Sequence, residues 1–327
     1  MIVSSLNASH CHRHPEREIW VRREEESTSA FAGHAARPQI GSMPEHTHAL
    51  RPMAPVLVTD LFPPLHAELI ALLRGLEADD WNRPTVCPLW SVRDIAAHLL
   101  DDDLRRLSFH RDGHPPPAGP RDESPGALVE FINRMNAEWV TAARRLSPRV
   151  IVDLLALTGP QVAALFDSLD PFGPSHFAVS WAGESRSENW FDVGRDYTER
   201  WLHQQQIRDA TGAPGLLERH WLHPVLDLFV RAIPHTFRDV EREEGTAVQV
   251  EVTGAAGGSW ALLRTAEGWR LYAGRPARSA ATVSMTPDTA WRLFSGALKT
   301  DADRARVHVS GDHALGAVLL GALGVIA

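Results

Sequence analysis

The alternation of apolar and polar positions divides the chain into a helical first part and a mixed second part. From Thr59, Leu61, Leu65, Leu69, Leu72, Leu73 and Leu76 recur at spacings of three and four. Pro63 and Pro64 fall in the first turn, where a missing N–H costs nothing. A second helix opens at Ser91 with Asp94 three residues on, a capping-box pair, and runs through Ile95, His98, Leu99 and Leu104 to about His110. Two more helical stretches cover about 126–146 and 149–169, divided at Ser147 and Pro148. Later helices are expected over about 187–211, stopped by Gly212, and over about 219–239, with Trp221, Leu222, Val225, Leu226, Phe229 and Val230 along one side.

The period then changes from 3.6 to 2. Val248, Val250 and Val252 alternate with polar neighbours, and 260–263 and 269–272 make a hairpin around Glu267 and Gly268. A strand at 282–285, a helix over about 287–297, a short strand at 307–309 and a last helix over about 312–323 follow. Helices first and a small sheet second predict an α+β chain of two domains. They cover 53–242 and 243–327, with the join near 240–246. Residues 1–52 show neither period and read as a disordered extension, with Met43 or Met53 as an alternative start.

Composition narrows the function. The chain has 327 residues, 44% hydrophobic and 23% charged, enough for a sizeable core. A formal charge of −8 argues against a nucleic-acid footprint, which needs a concentrated basic face. Cys11 and Cys87 are too few for a disulfide framework, which points to a reducing, cytoplasmic compartment. No run reads as the roughly 18–20 apolar residues of a membrane span, and the start lacks the pattern of a secretory signal. No glycine-rich phosphate loop, Ser-His-Asp order or C-x-x-C pair stands out, which disfavours phosphoryl transfer and serine hydrolysis.

Candidate chemistry gathers on two of the predicted helices. Glu199 and His203 stand four residues apart and share a helix face, a separation that suits two ligands of one divalent ion. On spacing alone the pair reads first as a solvated surface pair, and His98, beside Ile95 and Leu99, reads first as a core histidine. Cys87 is a nucleophile or a small packing residue, and Trp90, Trp181 and Trp201 belong to a pocket or to the core. Asp209 is a candidate acceptor behind His203, and the His10–His14 cluster a candidate for adventitious metal.

Two longer patterns carry a resemblance. The run from Asp80 to Leu99, DWNRPTVCPLWSVRDIAAHL, resembles the D-W…P-T-x-C-P-x-W-[TS]-V-x-D-[IV]-x-x-H-L signature of the mycothiol-dependent maleylpyruvate isomerase family. Trp181-Ala182-Gly183 and the run from Glu199 to Ala210, ERWLHQQQIRDA, resemble its second signature, in the same order and with a similar separation. The resemblance extends over roughly 55–325. It implies a DinB-like four-helix bundle followed by a small α/β sterol-carrier-like domain. His98, Glu199 and His203 would then be metal ligands, with Arg304 or Arg306 near the substrate. It also implies a divalent ion, zinc by ligand type, an open fourth position, and mycothiol as the low-molecular-weight thiol cosubstrate.

The activity so implied is a thiol-linked isomerase or S-transferase acting on a small electrophile, with no nucleic-acid or membrane partner. A hydrolase or biosynthetic enzyme using metal-bound water, and a non-enzymatic metal- or redox-sensing binding protein, are the rivals. Two departures from the family pattern bear on the substrate more than on the metal. Leu89 stands where glycine is common, and Gln204-Gln205-Gln206 replaces Gly-Gln-Asp.

Overall fold

A computed structural model describes residues 50–115, 119 and 125–324. The His10–His14 cluster, Cys11 and nearly all of the expected extension lie outside the described residues. Strand β1 (Arg51–Pro52) comes first, then α1 (Phe62–Arg74), α2 (Val92–Arg106), α3 (Pro125–Ala143), α4 (Pro148–Asp167) and α5 (Asn189–Thr211). Next come α6 (Arg219–Phe229) and α7 (Ile233–Thr236), then β2 (Ala247–Val252), β3 (Gly258–Thr265), β4 (Gly268–Ala273) and β5 (Ala281–Met285). The chain closes with α8 (Pro287–Phe294), α9 (Asp301–Arg304), β6 (His308–Gly311) and α10 (His313–Leu319). The architecture is α+β.

Helices α1, α2, α4 and α5 pack against one another, with α3 laid on α2. Each starts where local chemistry dictates. Ser91 and Asp94 form the expected capping box at α2, and Ser147 caps α4 with Pro148 in its first turn. Gly212, in the left-handed region at φ 71°, ends α5. Helices α1 and α4 approach closely at Gly159, where a Cβ would sit 2.1 Å from the His66 imidazole and would have to displace that ring. The stretch expected as one helix over 219–239 is broken at residues 230–232, and Pro234 starts the short α7.

Helix α4 also corrects the reading of apolar runs. Its 20 residues are long and apolar enough to cross a membrane by length and composition. Ile151, Val152, Leu155, Val162 and Phe166 are nevertheless buried inside the protein.

The six strands form one sheet in the order β1-β4-β3-β2-β5-β6, with β2 and β5 parallel and the other neighbours antiparallel. Arg51 and Pro52, expected in the extension, instead pair with Ala273 and Tyr272 at one edge. A two-residue strand containing proline has no alternation to read, and an edge tolerates the missing N–H. One apolar core runs from α1, α5 and α6 into the sheet and α8, including Trp201, Phe229, Val250, Trp260 and Trp291. A second, around Leu69, Ile95, Leu99, Ile151 and Leu155, fills the helical layer. The described part of the chain is a single compact unit.

Candidate metal centre

Helices α2 and α5 face each other with polar residues where core residues are usual. His98, two turns into α2, meets Glu199 and His203, one turn apart on α5. One ligand atom from each lies within 4.8 Å of the others, and all three residues are buried. His203 Nε2 is 3.4 Å from Glu199 Oε2, and His98 Nε2 is 3.5 Å from Asp102 Oδ2. The two imidazoles sit edge to face, with centroids 4.8 Å apart.

Two observations test whether a cation suits this cluster. His98 Nδ1 and His203 Nε2 are buried without a hydrogen-bond partner, which is costly for nitrogens that nothing else occupies. Burial also pushes the His98 pKa down to about 3, against an opposing pull from Asp102, so its imidazole is neutral and holds a lone pair at physiological pH. His203 behaves differently. Burial opposes its charged form, but Glu199, 3.4 Å away, together with Asp102 and Gln206, outweighs burial and raises its pKa. A cation held by His203 would compete with that proton for the ring's lone pair. Two imidazole nitrogens and one carboxylate suit zinc and leave coordination positions over. The residues fit a divalent ion.

The bend before α2 supplies a cover. Pro84 and Ser91 pair across it, Thr85 Oγ1 donates to the Trp90 carbonyl at 2.8 Å, and the Trp90 N–H donates to the Cys87 carbonyl at 3.0 Å. This holds the Trp90 ring 4.7 Å from His98 and 6.1 Å from His203, centroid to centroid. Leu89, the departure from the family's glycine, is 86% exposed and crowds nothing. Cys87 is half-buried with Sγ 3.5 Å from Gln206 Oε1. Burial, then the charge of Glu199, pushes its thiol pKa up. Lys299 pulls the other way, placing an exposed cation from the second part of the chain within electrostatic reach of Cys87.

The other sequence candidates go elsewhere. Asp209 does not stand behind His203. Six residues on, it is rotated about 240° around the helix and pairs with Arg292 of α8 at 2.5 Å. Gln206, three residues on, takes that place, with Oε1 2.9 Å from His203 Nδ1. A glutamine carries no charge to draw attention, and only its helical phase relative to His203 could have singled it out. Trp201 is core, its Nε1–H donating to the Leu216 carbonyl, and Trp181 packs against Phe191. Arg306 is exposed and pairs with Asp288, while Arg304 is exposed at the end of α9. Among the described residues, no hydrogen bond or ion pair joins either arginine to the three-residue cluster.

One turn away, the same two helices carry a buried network of a different kind. Arg106 donates to both oxygens of Asp192, at 2.9 and 3.0 Å, and to Asp196 at 2.7 Å. Arg200 donates to Asp196 and to Asp103, both at 2.6 Å. Thr158 donates to Asp103 at 2.5 Å, and Arg195 to Asp192. All six carboxylate oxygens are taken. A surface groove of about 410 Å³, lined by Phe172, Glu184, Arg186, Trp190 and Phe191 among others, includes none of the three clustered residues. Its size is no match for the chemistry of the buried cluster.

Residues 62–208 match the family described as the mycothiol maleylpyruvate isomerase N-terminal domain. Similar solved structures include the mycothiol-dependent maleylpyruvate isomerase and a histidine-to-alanine mutant of it. Each is 14% identical, with a TM-score of 0.46 over 77% of this chain and 91% of the other. No curated protein matches the chain. Residues 62–208, the segment that matches this family's N-terminal domain, hold all three clustered side chains.

Proposed function

We propose that the protein is a metal-dependent, thiol-linked isomerase or S-transferase acting on a small electrophile, with mycothiol as the thiol. The observation that carries this reading is the buried His98, Glu199 and His203 cluster, with one unpartnered nitrogen on each histidine, inside a domain of this family. Those three residues would hold the ion, with zinc favoured by the donor types. When bound, it would supply a charge that favours the thiolate form of a thiol at neutral pH.

The chain's own residues set the conditions. His98 arrives neutral because burial disfavours its charged form, so no proton need be displaced from it. Glu199 supplies the one formal negative charge among the three. Trp90 covers both imidazoles and limits the approach of water from that side. Lys299 offers a cation near Cys87, suited to an anionic group on a substrate or thiol. The second part of the chain, joined to α5 through Arg292 and Asp209, shapes the substrate side.

Elemental analysis of the purified protein tests the reading. About one equivalent of zinc per chain is expected, lost in both His98→Ala and Glu199→Ala, together with turnover of electrophiles that depends on added mycothiol. Turnover that needs the metal but no thiol would favour the hydrolytic rival. Failure to take up any divalent ion after reconstitution would leave only the binding-protein reading.

A further inference from the structure

His203 has two ring nitrogens, and α5 gives each a different neighbour. Nε2 faces Glu199 and has no hydrogen-bond partner. Nδ1 lies 2.9 Å from Gln206 Oε1. A ring nitrogen facing an amide oxygen must carry the hydrogen, whereas one facing an amide NH2 must carry the lone pair. The end of the Gln206 side chain turned towards the ring therefore decides which nitrogen is free to ligate.

A third residue fixes that choice. Cys87 Sγ is 3.5 Å from the same Oε1. Its Sγ–H donates to that oxygen, so the amide oxygen, not the NH2, lies beside both Cys87 and His203. The Thr85 hydroxyl, accepting from the Cys87 N–H at 3.2 Å and donating to the Trp90 carbonyl, holds Cys87 in the bend.

We infer that Gln206, oriented by Cys87, is a positioning residue that keeps the hydrogen of His203 on Nδ1 and its lone pair on Nε2, ready for a divalent cation. This rests on the metal reading above and adds a consequence to it. An amide acceptor contributes no charge, so the donor set presents a single carboxylate to a dication and leaves the centre more electron-poor than a carboxylate at position 206 would.

Cobalt(II) titration of the full chain, followed by visible absorption, tests this in the wild type, Gln206→Leu, Gln206→Glu and Cys87→Ala. Circular dichroism of each metal-free protein serves as the control for folding. Gln206→Leu should lose about 10- to 100-fold in cobalt affinity with an unchanged dichroism spectrum. Gln206→Glu should bind at least as tightly as the wild type, because it keeps an acceptor, and Cys87→Ala should lose less than Gln206→Leu. If Gln206→Leu does not fold, the Glu variant decides, and weakened binding there overturns the inference. Wild-type affinity in a folded Gln206→Leu overturns the inference alone. No cobalt binding by the wild type overturns both it and the metal reading.

Discussion

Two clusters of buried, titratable residues share α2 and α5, and they differ in how completely their hydrogen bonds close. Around Arg106 and Arg200, every oxygen of Asp103, Asp192 and Asp196 accepts a hydrogen bond. The loose ends are Arg200 Nη2 and, beside Arg106, His110 Nδ1. Around His98 and His203, the unpartnered atoms are the ring nitrogens His98 Nδ1 and His203 Nε2, on side chains that gather with Glu199. Burial and perturbed ionisation are common to both, so neither property picks out a functional site. The state of the donors does. The closed network compensates its own charges, whereas the histidine cluster leaves two ring nitrogens unpartnered.

Removing an arginine from the closed network should have the largest effect on folding. Arg106→Met leaves Asp192 and Asp196 short of their main partner and should cost about 3–5 kcal/mol in urea denaturation, because a buried charge loses its compensation. A loss below about 1 kcal/mol would mean that the network is not what holds α2 against α5.

The open cluster should declare itself next, through acid. In the metal-free protein, the His98 pKa of about 3 lies below its ordinary 6.5, so the unfolded chain takes up that proton first. Stability held above pH 6.5 is therefore lost as pH falls towards 3, by about 1.4 kcal/mol per unit from this group. His98→Gln should flatten the curve by about one proton in that window. Parallel curves for the two proteins would count against a neutral His98.

The smallest effect on stability should come from Glu199→Gln. Metal-free, it should unfold within about 1 kcal/mol of the wild type, since Gln keeps the shape and the polar contact with His203. The same variant should fail to retain zinc on elemental analysis. A large loss of stability without metal would move Glu199 from the open cluster to the closed one.

How much of this was legible in the sequence depends on what each element is made of. Leu65, Leu69 and Leu73 announce α1 by their spacing, and the valines of β2 announce the sheet by theirs. The three ligand candidates became legible through two long motifs, not through spacing, since a four-residue interval fits a surface pair equally well. The run Asp101-Asp102-Asp103-Leu104-Arg105-Arg106 reads as a solvated face, yet only Leu104 in it is exposed. Arg105 pairs within the run, with Asp101 and Asp102, but the ion-pair partners of Asp103 and Arg106 are about 90 residues away on α5, and no local pattern records them. Asp209 drew attention as a carboxylate, but its helical phase sends it to Arg292. Gln206 was passed over because an uncharged side chain shows its role only once its neighbours are in place.

The pairing of Pro52 with Tyr272 has a consequence for how the chain is made. The strand that borders the sheet leaves the ribosome before every described helix, while its partner follows about 220 residues later, roughly 10–40 s at ordinary rates of synthesis. The helical layer can form in that interval, but the first strand must wait for the hairpin that receives it. Earliest made of the described elements, it is among the last to be seated, and its docking ties the start of the described chain to the finished sheet.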